Sequence, residues 1–214
     1  MPTDPTMYAL PVLCIDFETT GPDPKTAKPV SCCVARFQLE PDAEPEVLLS
    51  TKVNPGCTIP PETTAIHGIS DADVADAPSL DWLGEQLEAL LPGAVLMAYN
   101  APYEHGILQR WGLGGRLRDW LDPYVWAKVE DKYKSGKRLA DVCERRGIPI
   151  DAHNAEGDVL ATCALSMRLL RELAVPRRES LSRFLEWQRE TGAEQEAELE
   201  AYLGKSIDNR WRSA

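Results

Sequence analysis

The sequence contains no apolar run near the ~18 residues a membrane span requires; its longest, Tyr8–Ile15 and Ala94–Tyr99, fall far short. The N-terminus lacks the basic-then-apolar pattern of an export signal, so the expectation is a soluble, cytoplasmic chain with no membrane partner. No C-x-x-C pair and no metal-type spacing occur among Cys14, Cys32, Cys33, Cys57, Cys143 and Cys163, several of which sit in apolar stretches as small hydrophobes would. A reducing compartment suits them, although an even number leaves a bridge open. Internal repeats and low-complexity tracts are also missing. The last lack is positive charge: the net charge is -11, which on its face argues against a polyanion binder.

What is present fits an ordinary globular chain. The 214 residues are 43% hydrophobic and 27% charged, enough to bury a core without disulfides or a structural metal. The expected organisation is one domain over residues 8–175 and a helical tail over 176–214, with Val175-Pro176 as punctuation. The charge is unevenly spread. Residues 1–100 carry four basic and fifteen acidic side chains, whereas residues 101–150 carry ten and seven. Arg110, Arg116, Arg118, Lys132, Lys134, Lys137, Arg138, Arg145 and Arg146 could form a positive rim or a solvated helical face of mixed sign.

Tyr8–Phe17, Val30–Leu39 and Glu46–Val53 read as three strands joined by short turns, hence an antiparallel meander. Ser79 then caps a helix that Pro92-Gly93 closes, and Ala94–Tyr99 forms a strand. The pattern continues as a helix over Pro102–Trp111, a short apolar segment at Trp120-Leu121, and helices over Pro123–Val129, Leu139–Arg146 and about Ala155–Ala174. Strands followed by helix-strand alternation give an α/β class, a mixed sheet flanked by helices. The tail has helical spacing at Leu181, Phe184, Leu185 and at Leu199, Tyr202, Leu203, with Gly192 expected to interrupt it. It could dock on its own domain, pair with a second copy or meet a protein partner.

The carboxylates carry the chemistry. Asp16 and Glu18 end the first strand and, at alternate positions, project from one face. Like charges there are costly unless a cation or proton intervenes, and oxygen-only donors favour Mg²⁺ or Mn²⁺ over zinc. Glu104 lies one turn into the helix that follows the 94–99 strand. His153 precedes another helix whose first turn carries Asp158, and an imidazole exchanges a proton near neutral pH, as a general base for water must.

Three segments in this order, DFETTG (Asp16–Gly21), NAPYEHGIL (Asn100–Leu108) and HNAEGD (His153–Asp158), resemble the three motifs of the DEDDh 3′-to-5′ exonucleases. Ile59–Pro78 and Arg138–Ile148 are similar to the family's flanking segments. The resemblance implies an RNase H-like fold: a mixed five-stranded sheet whose second strand runs antiparallel to the others, with the C-terminal helical extension added. It also implies two divalent metal ions, Mg²⁺ or Mn²⁺, held by Asp16, Glu18, Glu104 and Asp158, with His153 as general base. Phe17, Thr19, Thr20, Ile66, His67 and Asn100 would touch or orient the terminal nucleotide. The implied activity is removal of nucleoside 5′-monophosphates from 3′ ends, preferentially of single-stranded DNA. Short RNA is the alternative substrate, and a non-catalytic nucleic-acid or polymerase-binding module is the alternative function. That last reading is motivated by Glu104, where the family usually has Asp. A smaller departure is Pro123, where the family often has Thr.

Overall fold

The computed structural model describes residues 11–40, 43–173 and 180–205. The start of the first expected strand (Tyr8–Leu10), Val175-Pro176, and the tail beyond Lys205 lie outside them.

Four strands form one sheet in the order β3-β2-β1-β4: β1 is Pro11–Thr19, β2 Pro29–Gln38, β3 Glu46–Lys52 and β4 Val95–Met97. β2 pairs antiparallel with both β1 and β3, while β4 pairs parallel with β1. The expected meander is therefore present, and β2 is the one reversed strand. β1 and β2 are inner strands, which is why both are near-continuous Val, Ile, Cys and Ala runs buried on two faces. β3 lies at the edge, and its residues are all exposed or half-buried.

The expected fifth strand shrinks to a single parallel bridge, Met97 with Leu121. A 3-10 turn at Leu117–Asp119 precedes it, and Asp122 already caps the following helix, whose first residue is Pro123. Only Trp120-Leu121 remain free to extend.

Eight α-helices surround the sheet among the described residues: α1 Pro61–His67, α2 Asp71–Val74, α3 Leu80–Leu90, α4 Pro102–Leu108, α5 Pro123–Glu130, α6 Leu139–Glu144, α7 Ala155–Glu172 and α8 Leu181–Leu203. α3 starts at Ser79, whose hydroxyl accepts the Trp82 N–H at 3.2 Å. α4 is shorter than expected because residues 109–111 tighten into a 3-10 turn that Gly112 ends in the left-handed region. α1 and α2 have no counterpart in the periodicity reading. Pro61 begins the first, Gly68 at φ 73° ends it, and a Ser70–Asp73 capping box starts the second. A small satellite core of Val30, Ile59, Ile69 and Val74 ties this pair to the sheet.

α7 packs across β1 and β2, α5 packs on α7, and α8 packs on α5 and the Leu117–Asp119 turn. Gly192 does not interrupt α8. Phe184, Gln188, Gly192 and Glu196 are its buried residues, one every four positions. Gly192 is buried within that narrow stripe, and the helix runs through it despite the roughly 1 kcal/mol propensity cost of a mid-helix glycine.

Part of the basic segment is tied down in ion pairs, although most of its side chains stay exposed. Asp131, with a side chain 1% exposed, receives Arg145, Arg146 and Lys134, and Arg146 also grips Glu172 at 2.7 Å. All six cysteines are free thiols; five are buried and Cys57 alone is exposed.

Candidate active site

The site is assembled at the end of β1. Cys14, Asp16 and Glu18 occupy alternate positions of the strand, and the Cys14 thiol reaches toward the Val159 carbonyl of α7. Their shared face is therefore the one α7 covers. Asn154 caps α7 by accepting the Glu156 N–H at 3.2 Å, which sets Asp158 in the first turn. Asp16, Glu18 and Asp158 thus each place a carboxylate oxygen within 4.8 Å of the others.

This convergence is electrostatically unfavourable for ionised groups. Burial, then repulsion from Asp158 and Glu18, holds the Asp16 carboxyl well above its ordinary range. Burial and Asp158 push Glu18 up to about 7. Burial raises Asp158 to about 6, against the lowering effect of the His153 backbone N–H and the imidazole. Three oxygen donors that resist charging are a set that a hard divalent cation satisfies.

His153 is exposed and holds a left-handed backbone, φ 64°. Its N–H donates to Asp158 Oδ2 at 3.3 Å, so the loop folds back over the helix start. Gly157 permits this: a Cβ there would overlap the Asp151 carbonyl. The imidazole lies close enough to influence both Asp158 and His67.

Asn100 and His153 are the non-glycine residues with positive φ among those described, Asn100 at 68°. Such geometry costs on the order of 1 kcal/mol or more and persists only where neighbours impose it. At Asn100 the neighbour is Asp122, fully buried, whose carboxylate accepts N–H groups from Asn100 at 2.9 Å, Ala101 at 3.1 Å and Tyr124 at 2.9 Å. α4 begins immediately after, with Glu104 buried in its first turn. Glu104 is not one of the three converging acids, yet it, Asp16 and Glu18 all act on the Tyr103 hydroxyl, which burial and these charges raise to about 12.

The other expected residues separate into two groups. Thr19 shares a 2.5 Å hydrogen bond with the Tyr103 hydroxyl, which also donates to the Gly21 carbonyl at 2.6 Å. Ile66, 58% exposed, and His67 lie at the end of α1. The His67 Nδ1 accepts the Ile69 N–H at 3.1 Å, and the ring interacts with the Thr19 backbone. Thr20 instead closes a loop, donating its N–H to the Lys28 carbonyl and accepting the Lys28 N–H at its hydroxyl. The Phe17 side chain is buried and points away from the acids. Tyr103 and Asp122 were not singled out in the sequence; Tyr103 had a visible signal in its place inside the NAPYEHGIL segment, and Asp122 had none beyond preceding Pro123.

A strand-borne acid pair is closed by a helix-borne acid on a sheet with one reversed strand, the arrangement expected of an RNase H-like exonuclease. The exonuclease family model matches residues 13–166, and the chain belongs to that family. It is 38% identical over 129 residues to a DNA polymerase III subunit epsilon-like protein of Rhodobacter capsulatus, covering 58% of this chain and 18% of that protein. It is 26% identical over 161 residues to a DNA polymerase III PolC-type protein of Thermotoga petrophila, covering 73% of this chain and 12% of that one. The chain thus spans under a fifth of the length of these curated relatives. Among solved structures, an exonuclease I superposes with TM-score 0.62 at 21% identity, over 84% of this chain and 44% of that one. Exonuclease X, in complex with 5′-overhanging duplex DNA, superposes with TM-score 0.60 at 20% identity, over 81% of this chain and 99% of that one. At these identities the structural likeness concerns the fold.

Proposed function

We propose that the protein is a divalent-metal-dependent 3′-to-5′ exonuclease that hydrolyses the terminal phosphodiester of a 3′ end, preferentially of single-stranded DNA, releasing nucleoside 5′-monophosphates. The observation that carries this reading is the meeting of the Asp16, Glu18 and Asp158 carboxylates within 4.8 Å. Their raised proton affinity and all-oxygen chemistry suit Mg²⁺ or Mn²⁺. Asp16, Glu18 and Asp158 would hold a pair of such ions, with Glu104 contributing from α4. Bound there, such ions would supply the chemistry of lowering the pKa of a water and stabilising charge on the leaving oxygen.

The remaining tasks fall to the chain itself. His153, exposed at the rim and anchored through its N–H to Asp158, takes the proton from the attacking water. The backbone at Phe17–Thr20 seats the terminal nucleotide, and the exposed Ile66 side chain supplies an apolar surface for its base. His67, packed beside the Thr19 backbone, braces that seat. Asn100 orients the start of α4 rather than binding metal. Cations at the acid cluster also answer the charge puzzle, because they supply positive charge where the phosphate approaches an otherwise negative protein. An exonuclease I solved with a dT13 oligonucleotide shares the fold, which supports a single-stranded DNA substrate.

The test is release of mononucleotides from a 3′-labelled single strand. Release is expected with Mg²⁺ or Mn²⁺, none with EDTA, and none from Asp16→Ala or His153→Ala. Faster loss of an RNA oligonucleotide moves the substrate from DNA to RNA. Binding without release, with release gained in Glu104→Asp, replaces the enzyme reading with that of a binding module.

A further inference from the structure

α8 lies beyond the residues matched by the family model, yet one of its side chains is wired to the second motif. Gln188 is 0% exposed. Its Oε1 accepts the Asp122 backbone N–H and the Trp126 indole N–H, both at 2.8 Å, and its Nε2 donates to the Trp120 carbonyl at 2.8 Å. One amide thus grips both ends of the Trp120–Asp122 segment, whose other side is held by β4 through the Leu121 N–H to the Leu96 carbonyl at 2.8 Å. That segment carries the carboxylate that fixes the strained Asn100 and its neighbour Ala101.

We infer that Gln188 is a positioning residue for the active site: by clamping Trp120–Asp122 it lets Asp122 hold Asn100–Ala101, and so aims the first turn of α4, with Tyr103 and Glu104, at the β1 acids. α8 is then part of the working unit, and its role is distinct from recruiting a partner. The chemistry demands an amide. Two N–H groups need an acceptor and one carbonyl needs a donor, all in a site closed to water, where each orphaned group is costly. An aliphatic residue leaves all three orphaned, and a carboxylate turns the donor that faces Trp120 into an acceptor. The inference rests on the exonuclease reading for its consequence on turnover, while its geometric core can be measured without catalysis.

The experiment compares the full-length wild type, Gln188→Leu, and Phe184→Leu as control. Phe184 is on the same helix and packs edge-on against Trp126 at 5.3 Å between centroids, so its truncation loosens the packing of α8 while the Gln188 amide and its three hydrogen-bond partners stay in place. Amide hydrogen exchange at Asn100 and Ala101, at matched global stability, is expected to accelerate about tenfold or more in Gln188→Leu and to stay near wild type in Phe184→Leu. Nucleotide release should show kcat lowered about tenfold or more with KM within about threefold, since sub-ångström to ångström displacement of reacting groups affects turnover before binding. Should Gln188→Leu fail to fold, Gln188→Glu, which keeps both accepted bonds, is expected to show the same exchange change at smaller size. Equal protection of Asn100 and Ala101 in the Gln188 variants and the control overturns the inference. A wild type that releases no nucleotide overturns the exonuclease reading instead, and the exchange comparison still decides the relay.

Discussion

Asn100 and His153 adopt nearly the same left-handed backbone, at φ 68° and 64°, and are held there by opposite strategies. His153 is secured locally: its N–H meets a carboxylate five residues on, and a glycine next to that carboxylate clears room for the loop. Asn100 is secured remotely, by Asp122 across 22 residues and, behind Asp122, by Gln188 across another 66. One is exposed at the rim and the other stands on a fully buried acid. The difference teaches that the third motif carries its own support, whereas the second is only as well placed as the packing behind it.

The largest expected effect comes from attacking the local arrangement at its shared member. Asp158→Asn removes an acid of the cluster and weakens the acceptor for His153 in one change, so kcat for nucleotide release should fall on the order of a thousandfold. The metal-free variant should nonetheless unfold a few degrees higher than wild type at pH 8, because a repulsive charge beside Asp16 and Glu18 is gone. Equal or lower unfolding temperature would show that the three acids do not repel in solution.

Next comes the loop itself. Gly157→Ala drives a methyl group into the Asp151 carbonyl and should displace His153, lowering kcat by about ten- to a hundredfold. Amide exchange at Asn100 and Ala101 should be unaltered. If those amides also loosen, the two supports are not independent and the comparison breaks.

The smallest effect is shared by both regions and appears as pH dependence. Glu18 and Asp122 at about 7 and Asp158 at about 6 hold protons in the folded state that the unfolded chain releases near pH 4. Folded-state pKa values raised in this way mean that the stability contribution is present below pH 4 and is lost as pH climbs toward 7. Asp131, held well below its ordinary range by Arg146 and Arg145 against the cost of burial, works in the opposite sense, but its change falls below pH 4. Without metal, unfolding free energy should therefore drop by a few kcal/mol between pH 5 and 8, much of it from the fully buried Asp122. Saturating Mn²⁺ should restore the part due to Asp16, Glu18 and Asp158 and leave the Asp122 part untouched, which separates the two regions by thermal unfolding alone.

The same contrast explains what could be read without coordinates. Asp16, Glu18 and the His153–Asp158 pair are visible because strand alternation and helix starts are short-range rules, and their chemistry lies in the residue types. The meander and α7 follow from periodicity for the same reason. Gln188 is invisible: nothing in LEWQRE distinguishes an amide that faces a backbone from one that faces water, and its partners lie 62 to 68 positions away. Gly192 was misleading because propensity favours a break there, whereas α8 runs through it with Gly192 buried in its packed stripe. The fifth strand was lost to two local caps competing for the same residues, and the tail's amphipathic pattern gave a helix without saying which face met the domain.

The placement of the thiols has a practical consequence. With five of six thiols sealed in the interior and Cys57 alone open on the loop between β3 and α1, the native chain offers one ready attachment point for a maleimide dye. A fluorophore there would report on oligonucleotide binding without the need to introduce a new cysteine or remove a native one.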